Sequence, residues 1–387
     1  MIPLLGGCAA VRRPAITADE LIEDGQAARV AHRHTIDHMV ETLARRAVRR
    51  GDRTLDVLYL SGGGQNGAYG AGFLRGWRER ASEAMPVFDL VTGVSTGSIQ
   101  SPFALVGSEA ALDTVSALFD GTIPGAPTFD PWFWFRKTGG VLEDDRFRRT
   151  IRRVVDRRLA AQMRASFHED RQLLIATTDF DLGVGKLWDV GAELEASPAG
   201  LTRVQDLIVA SSSIPGAFPS VILDRHLHLD GGVMSNLAMP LDLATLEALA
   251  GRLKQAGVSE PVTVRLWVIH NLWTHAETSV MNPSSLGSIS RRTTLLLFSA
   301  KQPLELVALE TPSRAVATEV PGLRLEVRHT AIPSELAEDP AAKALIDDAW
   351  MERLQALGYE RAQSAAPWDV GVPGLYERPE IRSHTEN

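Results

Sequence analysis

Twice in the first quarter of the chain, a short apolar run ends in a glycine-rich turn with a helical pattern behind it. Residues 55–60 read Leu-Asp-Val-Leu-Tyr-Leu and enter Ser61-Gly62-Gly63-Gly64-Gln65-Asn66-Gly67, after which the pattern predicts a helix over about 68–80. Residues 88–91 form a second run, which ends in Thr92-Gly93-Val94-Ser95-Thr96-Gly97 before another helix. Strand, tight turn and helix in alternation specify an α/β sheet, with reactive side chains at the C-terminal ends of its strands.

The rest of the chain fits one large α/β domain. It has 387 residues, of which 44% are hydrophobic, enough to bury a sizeable core. A helix is predicted over 17–50, with Asp19 and Glu20 in its first turn and Gly51 as its stop. Pro124, Pro127, Pro131 and Gly139-Gly140 mark a long loop over 120–143, and a helix follows over 144–165. Further strands are expected at 172–177, 185–190, 226–229, 262–269 and 323–328, with helices at 240–256 and 340–364. The organisation is therefore a short leading segment (1–16), a helical segment (17–54), a catalytic core (55–243), an α/β remainder of the same domain (244–370) and a tail (371–387).

Charge and cysteine content exclude several classes. A net charge of −8 argues against nucleic acid as a partner, which needs basic patches to displace phosphate counterions. The arginine-rich pieces Arg45, Arg46, Arg49, Arg50 and Arg148, Arg149, Arg152, Arg153 read as solvated helix faces. The single cysteine, Cys8, excludes an intramolecular disulfide and a multi-thiolate zinc site. The run Leu4-Leu5-Gly6-Gly7-Cys8 resembles a bacterial lipobox, although the seven residues before Cys8 are fewer than a full signal needs. Lipidation at Cys8 and a bacterial envelope location are the expectation, and a cytoplasmic protein is the alternative.

Gly93-Val94-Ser95-Thr96-Gly97 has the GxSxG spacing of a nucleophile elbow. A serine on a sharp strand-to-helix turn needs small neighbours, and the helix N-terminus behind it favours developing negative charge. The loop from Gly62 to Gly67 allows three readings: a dinucleotide cradle, close packing without chemistry, or an oxyanion hole of backbone amides. A dinucleotide site wants an acid at the end of the next strand, whereas Asp89 stands at its beginning. With the serine elbow closing that strand, the oxyanion hole is the better reading. For a base, His226, His228, His270, His275, His329 and His384 all occur late enough, but none stands in a setting typical of a catalytic histidine loop. Asp230-Gly231-Gly232 ends a predicted strand, and a desolvated carboxylate on the serine hydroxyl can serve as the general base directly.

These three motifs, in this order, resemble the patatin-like phospholipase family. Ala176-Thr177-Thr178-Asp179 with Gly183, and residues 210–219 (Ala-Ser-Ser-Ser-Ile-Pro-Gly-Ala-Phe-Pro), are similar to it as well, so the likeness covers about 55–243. It implies a three-layer fold with a central, mostly parallel sheet flanked by helices. It implies a Ser95–Asp230 dyad without histidine, and an oxyanion hole from Gly62, Gly63, Gly64 and Thr96. Gly67, Gly93, Gly97, Gly231 and Gly232 are then motif glycines. Neither metal nor cofactor is implied. The implied function is a serine lipid acyl hydrolase acting on fatty-acyl esters through an acyl-enzyme. Its partners would be a lipid or phospholipid substrate and a membrane surface. Asn66 departs from the pattern, because many members carry Arg or Lys there.

Two features lie outside that reading. Pro131-Trp132-Phe133-Trp134-Phe135-Arg136-Lys137 is the densest aromatic cluster, either a core plug or an interfacial anchor. His226 and His228 share one strand face and read as structural. An inactive lipid-binding or envelope-interaction protein on the same fold is the alternative function, against which intact Ser95 and Asp230 both speak.

Overall fold

The computed structural model describes Arg13 and residues 15–120, 128–129, 139–274, 280–344 and 346–369. Cys8, the aromatic cluster at 131–137, His275, His384 and the tail expected at 371–387 lie outside the described residues.

Helix α1 spans Ala18–Arg50; Thr17 and Glu20 close a capping box at its start, and Gly51 ends it in the left-handed region. Strand β1 (Thr54–Leu60) follows, then a single 3₁₀ turn over Gly64–Asn66 and helix α2 (Gly67–Glu79). β2 (Leu90–Val94) leads through Ser95 into α3 (Thr96–Val106), and α4 is Glu109–Phe119. A two-stranded ribbon pairs β3 (Thr128–Phe129) with β4 (Leu142–Glu143). α5 (Asp145–Val154) and α6 (Arg157–His168) precede the hairpin of β5 (Gln172–Asp179) and β6 (Val184–Asp189). α7 (Val190–Glu195), α8 (Gly200–Ser211), β7 (Val221–Leu223) and β8 (His226–Asp230) complete the part that carries the motifs. Beyond it come α9 (Leu243–Gln255), β9 (Val262–His270), α10 (Leu286–Ser299), α11 (Lys301–Glu319), β10 (Leu323–Ala331) and α12 (Asp348–Gln363).

The main sheet runs β10-β9-β1-β2-β5-β8-β7, with β6 also on β5. β10, β9, β1, β2 and β5 are mutually parallel; β6 and β8 run opposite to them, and β7, antiparallel to β8, returns to their direction. Strand β1 divides the core. Leu55, Val57 and Tyr59 pack toward α1 and α9, and Leu58 and Leu60 toward α2 and α3. That alternation gives three layers, the α/β arrangement with a central, mostly parallel sheet.

One detail of the register positions the site. β6 covers β5 over 174–179 and β2 covers it over 172–176, so these two strands occupy opposite edges of β5. β8 pairs with residues 177–179, where one edge is already held by β6, so it lies on the β2 edge, end to end with β2. Ala176 faces Val94 and Thr177 faces Asp230. The residue after Val94 and the last residue of β8 therefore meet where the two strands abut.

Several local expectations need correction. The helix predicted over 144–165 is two helices, because the chain breaks at Val155 and Asp156 caps the second. The last helix starts only at Asp348, capped by Asp347, with a 3₁₀ turn over Pro340–Lys343 before it. Of the four arginines that close α1, Arg45 and Arg49 are exposed as expected and pair with Asp170, whereas Arg46 and Arg50 turn inward. Arg46 bonds Asp89 at 2.7 Å, and Arg50 bonds Asp89 at 2.6 Å and Asp56 at 3.0 Å. Both acids are fully buried, and Arg265 and the Trp267 indole complete the shell around Asp56. Buried carboxylates demand such partners, and the arginines are drawn in to supply them. On α5, by contrast, Arg149, Arg152 and Arg153 are exposed as expected.

Candidate active site

Ser95 occupies the turn between β2 and α3 with φ 52 and ψ −123, a conformation that costs a non-glycine residue backbone strain. The flanking glycines are what allow it. A Cβ on Gly93 would stand 2.5 Å from the Gly97 carbonyl, and one on Gly97 would stand 2.2 Å from that of Leu60. The turn is held by neighbours as well. The Ser95 amide donates to Ser211 Oγ at 2.9 Å, and that hydroxyl donates on to the Ala176 carbonyl at 2.7 Å.

Ser95 Oγ donates to Asp230 Oδ2 at 2.6 Å, and both side chains are buried. The other carboxylate oxygen, Oδ1, accepts the Gly232 amide at 2.7 Å. Burial pushes the Asp230 carboxyl up to about 6, against the downward pull of these hydrogen bonds and the Lys301 charge. A carboxylate held near neutrality can take and return a proton in the physiological range.

The glycine loop passes beside this pair. A Cβ on Gly62 would lie 2.9 Å from Ser95 Cβ and 2.5 Å from Asn236 Oδ1, so only glycine fits. The Gly62 amide already donates to the Asn236 carbonyl at 3.3 Å. Among the described residues no acceptor engages the amides of Gly63 or Gly64, and Gly64 lies in the left-handed region at φ 57. Thr96 ties the loop to the elbow through its hydroxyl, which donates to the Gly64 carbonyl at 2.8 Å. Asn66 faces inward and accepts the Trp350 indole N–H at 2.8 Å, a packing role in place of a basic group. Gly67 is pressed against the Thr96 side chain, and a Cβ on Gly231 would meet the Ala176 carbonyl at 2.6 Å.

The pair has no histidine partner among the described residues. His226 bridges Asp179 at 2.7 Å and Asp24 at 3.1 Å. His228 bonds Thr177, and His270 bonds Gln302.

Residues 58–245 match the family model described as patatin-like phospholipase. The chain carries a patatin-like phospholipase domain. No curated protein matches the chain significantly. Among solved structures, VipD from Legionella pneumophila is similar at 10% identity and a TM-score of 0.35, covering 80% of this chain. The chain spans only 66% of the length of that structure.

The patatin-like domain thus brings together Ser95, Asp230, Gly62, Gly63, Gly64 and Thr96, all singled out in the sequence. Sequence reading missed four residues that hold them. Ser211 lay inside a motif but carried no separate signal, and Asn236 follows Asp230 by one loop. Lys301 and Glu305, on α11, donate and accept respectively at the loop after Asp230, and nothing local marks them.

Proposed function

We propose that this patatin-like protein is a serine esterase that cleaves fatty-acyl esters in lipids through a covalent acyl-enzyme. The supporting observation is the 2.6 Å hydrogen bond from Ser95 Oγ to a buried carboxylate whose proton affinity is raised. Asp230 takes the hydroxyl proton as Ser95 Oγ attacks the ester carbonyl carbon. The oxyanion that forms is received by the free amides of Gly63 and Gly64 and by the N-terminal end of α3. Collapse of the tetrahedral species breaks the bond to the alcohol, which leaves with the proton from Asp230. Water then gives a proton to Asp230 as its oxygen attacks the acyl-Ser95 ester; the tetrahedral species breaks its bond to Ser95 Oγ, which takes the proton back from Asp230 as the fatty acid leaves.

The Ser95 strain belongs to this mechanism, since it aims Oγ out of the turn before substrate arrives. Envelope attachment through Cys8 and action at a membrane surface belong to the same proposal. The test is hydrolysis of a panel of defined phospholipids, lysophospholipids and neutral esters, with Ser95→Ala as control. Release of fatty acid by the wild type alone is expected. Equal release by Ser95→Ala would refute the proposal.

A further inference from the structure

The loop after Asp230 is gripped from one side by a single helix. Lys301, the first residue of α11, donates to the carbonyl of Gly232 at 2.9 Å and also to that of Val233. One turn on, Glu305 Oε1 accepts three hydrogen bonds from the same loop: Ser235 Oγ at 2.8 Å, the Asn236 amide at 2.5 Å and the Leu237 amide at 3.2 Å. Asn236 in turn exchanges two bonds with Gly62, one from each residue's nitrogen to the other's carbonyl, both at 3.3 Å. A chain of direct contacts thus runs from Glu305 through Asn236 to Gly62, at the root of the free amides. The same loop begins at Asp230.

Glu305 is 6% exposed, and its second oxygen, Oε2, has no hydrogen-bond partner among the described residues. Burying a carboxylate in this way is costly, and the three hydrogen bonds that Oε1 accepts offset that cost. The groups it serves are those that set the spacing between Asp230 and the glycine loop.

We propose that Glu305 and Lys301 are a positioning pair, which fixes the Asp230 turn against the Gly62–Gly63–Gly64 loop and so governs the acylation step rather than substrate binding. The proposal rests on the Ser95–Asp230 reading of the site. A second consequence comes from charge. Asp230 lies in the field of Lys301, whereas on the neighbouring β5 and β8 Asp179 bonds His226, with His228 Nε2 3.7 Å from the same carboxylate. Removing the Lys301 cation removes a group that favours the ionised carboxylate, so the proton affinity of Asp230 rises.

The experiment compares wild type with Glu305→Ala, Glu305→Gln, Lys301→Met and Ser95→Ala in p-nitrophenyl butyrate hydrolysis over pH 4.5–9, with near-ultraviolet circular dichroism on each. Glu305→Ala should lose about 30-fold or more in kcat with KM within about twofold. Glu305→Gln, which keeps a carbonyl oxygen for the loop amides, should recover most of that loss. Lys301→Met should move the acid limb of kcat/KM to higher pH, a change that a purely structural lysine would not cause. Should Glu305→Ala fail to fold, Glu305→Gln and Lys301→Met still decide the matter. Wild-type kcat in Glu305→Ala, or an unmoved acid limb in Lys301→Met, would overturn the positioning role. Activity surviving in Ser95→Ala would instead overturn the serine mechanism itself.

Discussion

Asp230 meets Ser95 because their two strands lie end to end along the same edge of β5, one arriving parallel and the other antiparallel. The proposed base therefore comes from a strand whose direction is opposite to that of the strand leading to the proposed nucleophile. Its carboxylate reaches the serine at 2.6 Å without any intervening imidazole. A short bond between a buried hydroxyl and a buried carboxylate ties the chemistry to one titration.

In the proposed mechanism that titration sets the pH dependence of the reaction. Burial pushes Asp230 up to about 6, and only its ionised form can take the Ser95 proton. kcat/KM for a p-nitrophenyl ester should rise through an acid limb near pH 6, falling about tenfold per unit below it. A limb near pH 4, where an unperturbed carboxyl titrates, would contradict the assignment.

The same shift predicts a stability cost. Because the folded state raises the proton affinity of Asp230, the folded protein binds that proton more tightly than the unfolded chain does. The stabilisation from the bound proton is present in acid and is lost as pH rises through about 6. A shift from 3.8 to about 6 corresponds to at most about 3 kcal/mol. Asp230→Asn cannot ionise, so its Tm should exceed that of wild type by about 3 °C or more at pH 8, the difference shrinking as pH falls and closing only below the 3.8 of the unfolded carboxyl. A Tm difference independent of pH would show that Asp230 is not the titrating group.

The buried acids near α1 make a separate stability prediction. Arg50→Met leaves Asp56 and Asp89 short of the cation that bonds both. Removing one partner from a buried network of this kind costs about 3 kcal/mol. Urea denaturation should show the midpoint lowered with an unchanged slope, whereas an unmoved midpoint would mean that Arg46 and Arg265 suffice.

What could be read from the sequence was what neighbours in the chain determine. The elbow around Ser95, the loop from Gly62 and the turn at Asp230 each carry their constraint within a few residues. Close backbone approach admits only glycine, and glycines are visible in a sequence. Partnerships across the fold were not visible. Arg46 and Arg50 read as surface because Asp89 belongs to another strand, and only the folded sheet brings it to α1. Glu305 looks like any helical glutamate until α11 packs on the loop after Asp230. The break at Val155 went unseen since the helical pattern resumes directly after Asp156. Asn66 was recognisable as a departure, but its Trp350 partner lies on α12.

The central claim, that Ser95 is the nucleophile and Asp230 its base, is tested most directly by covalent labelling. The protein would be treated with a fluorophosphonate at pH 7.5 and the adduct mapped by peptide mass spectrometry, with Asp230→Asn run in parallel. A single adduct on the Ser95 peptide, formed at least about 100-fold more slowly in Asp230→Asn, is the predicted result. Labelling elsewhere, or an undiminished rate in Asp230→Asn, would contradict it.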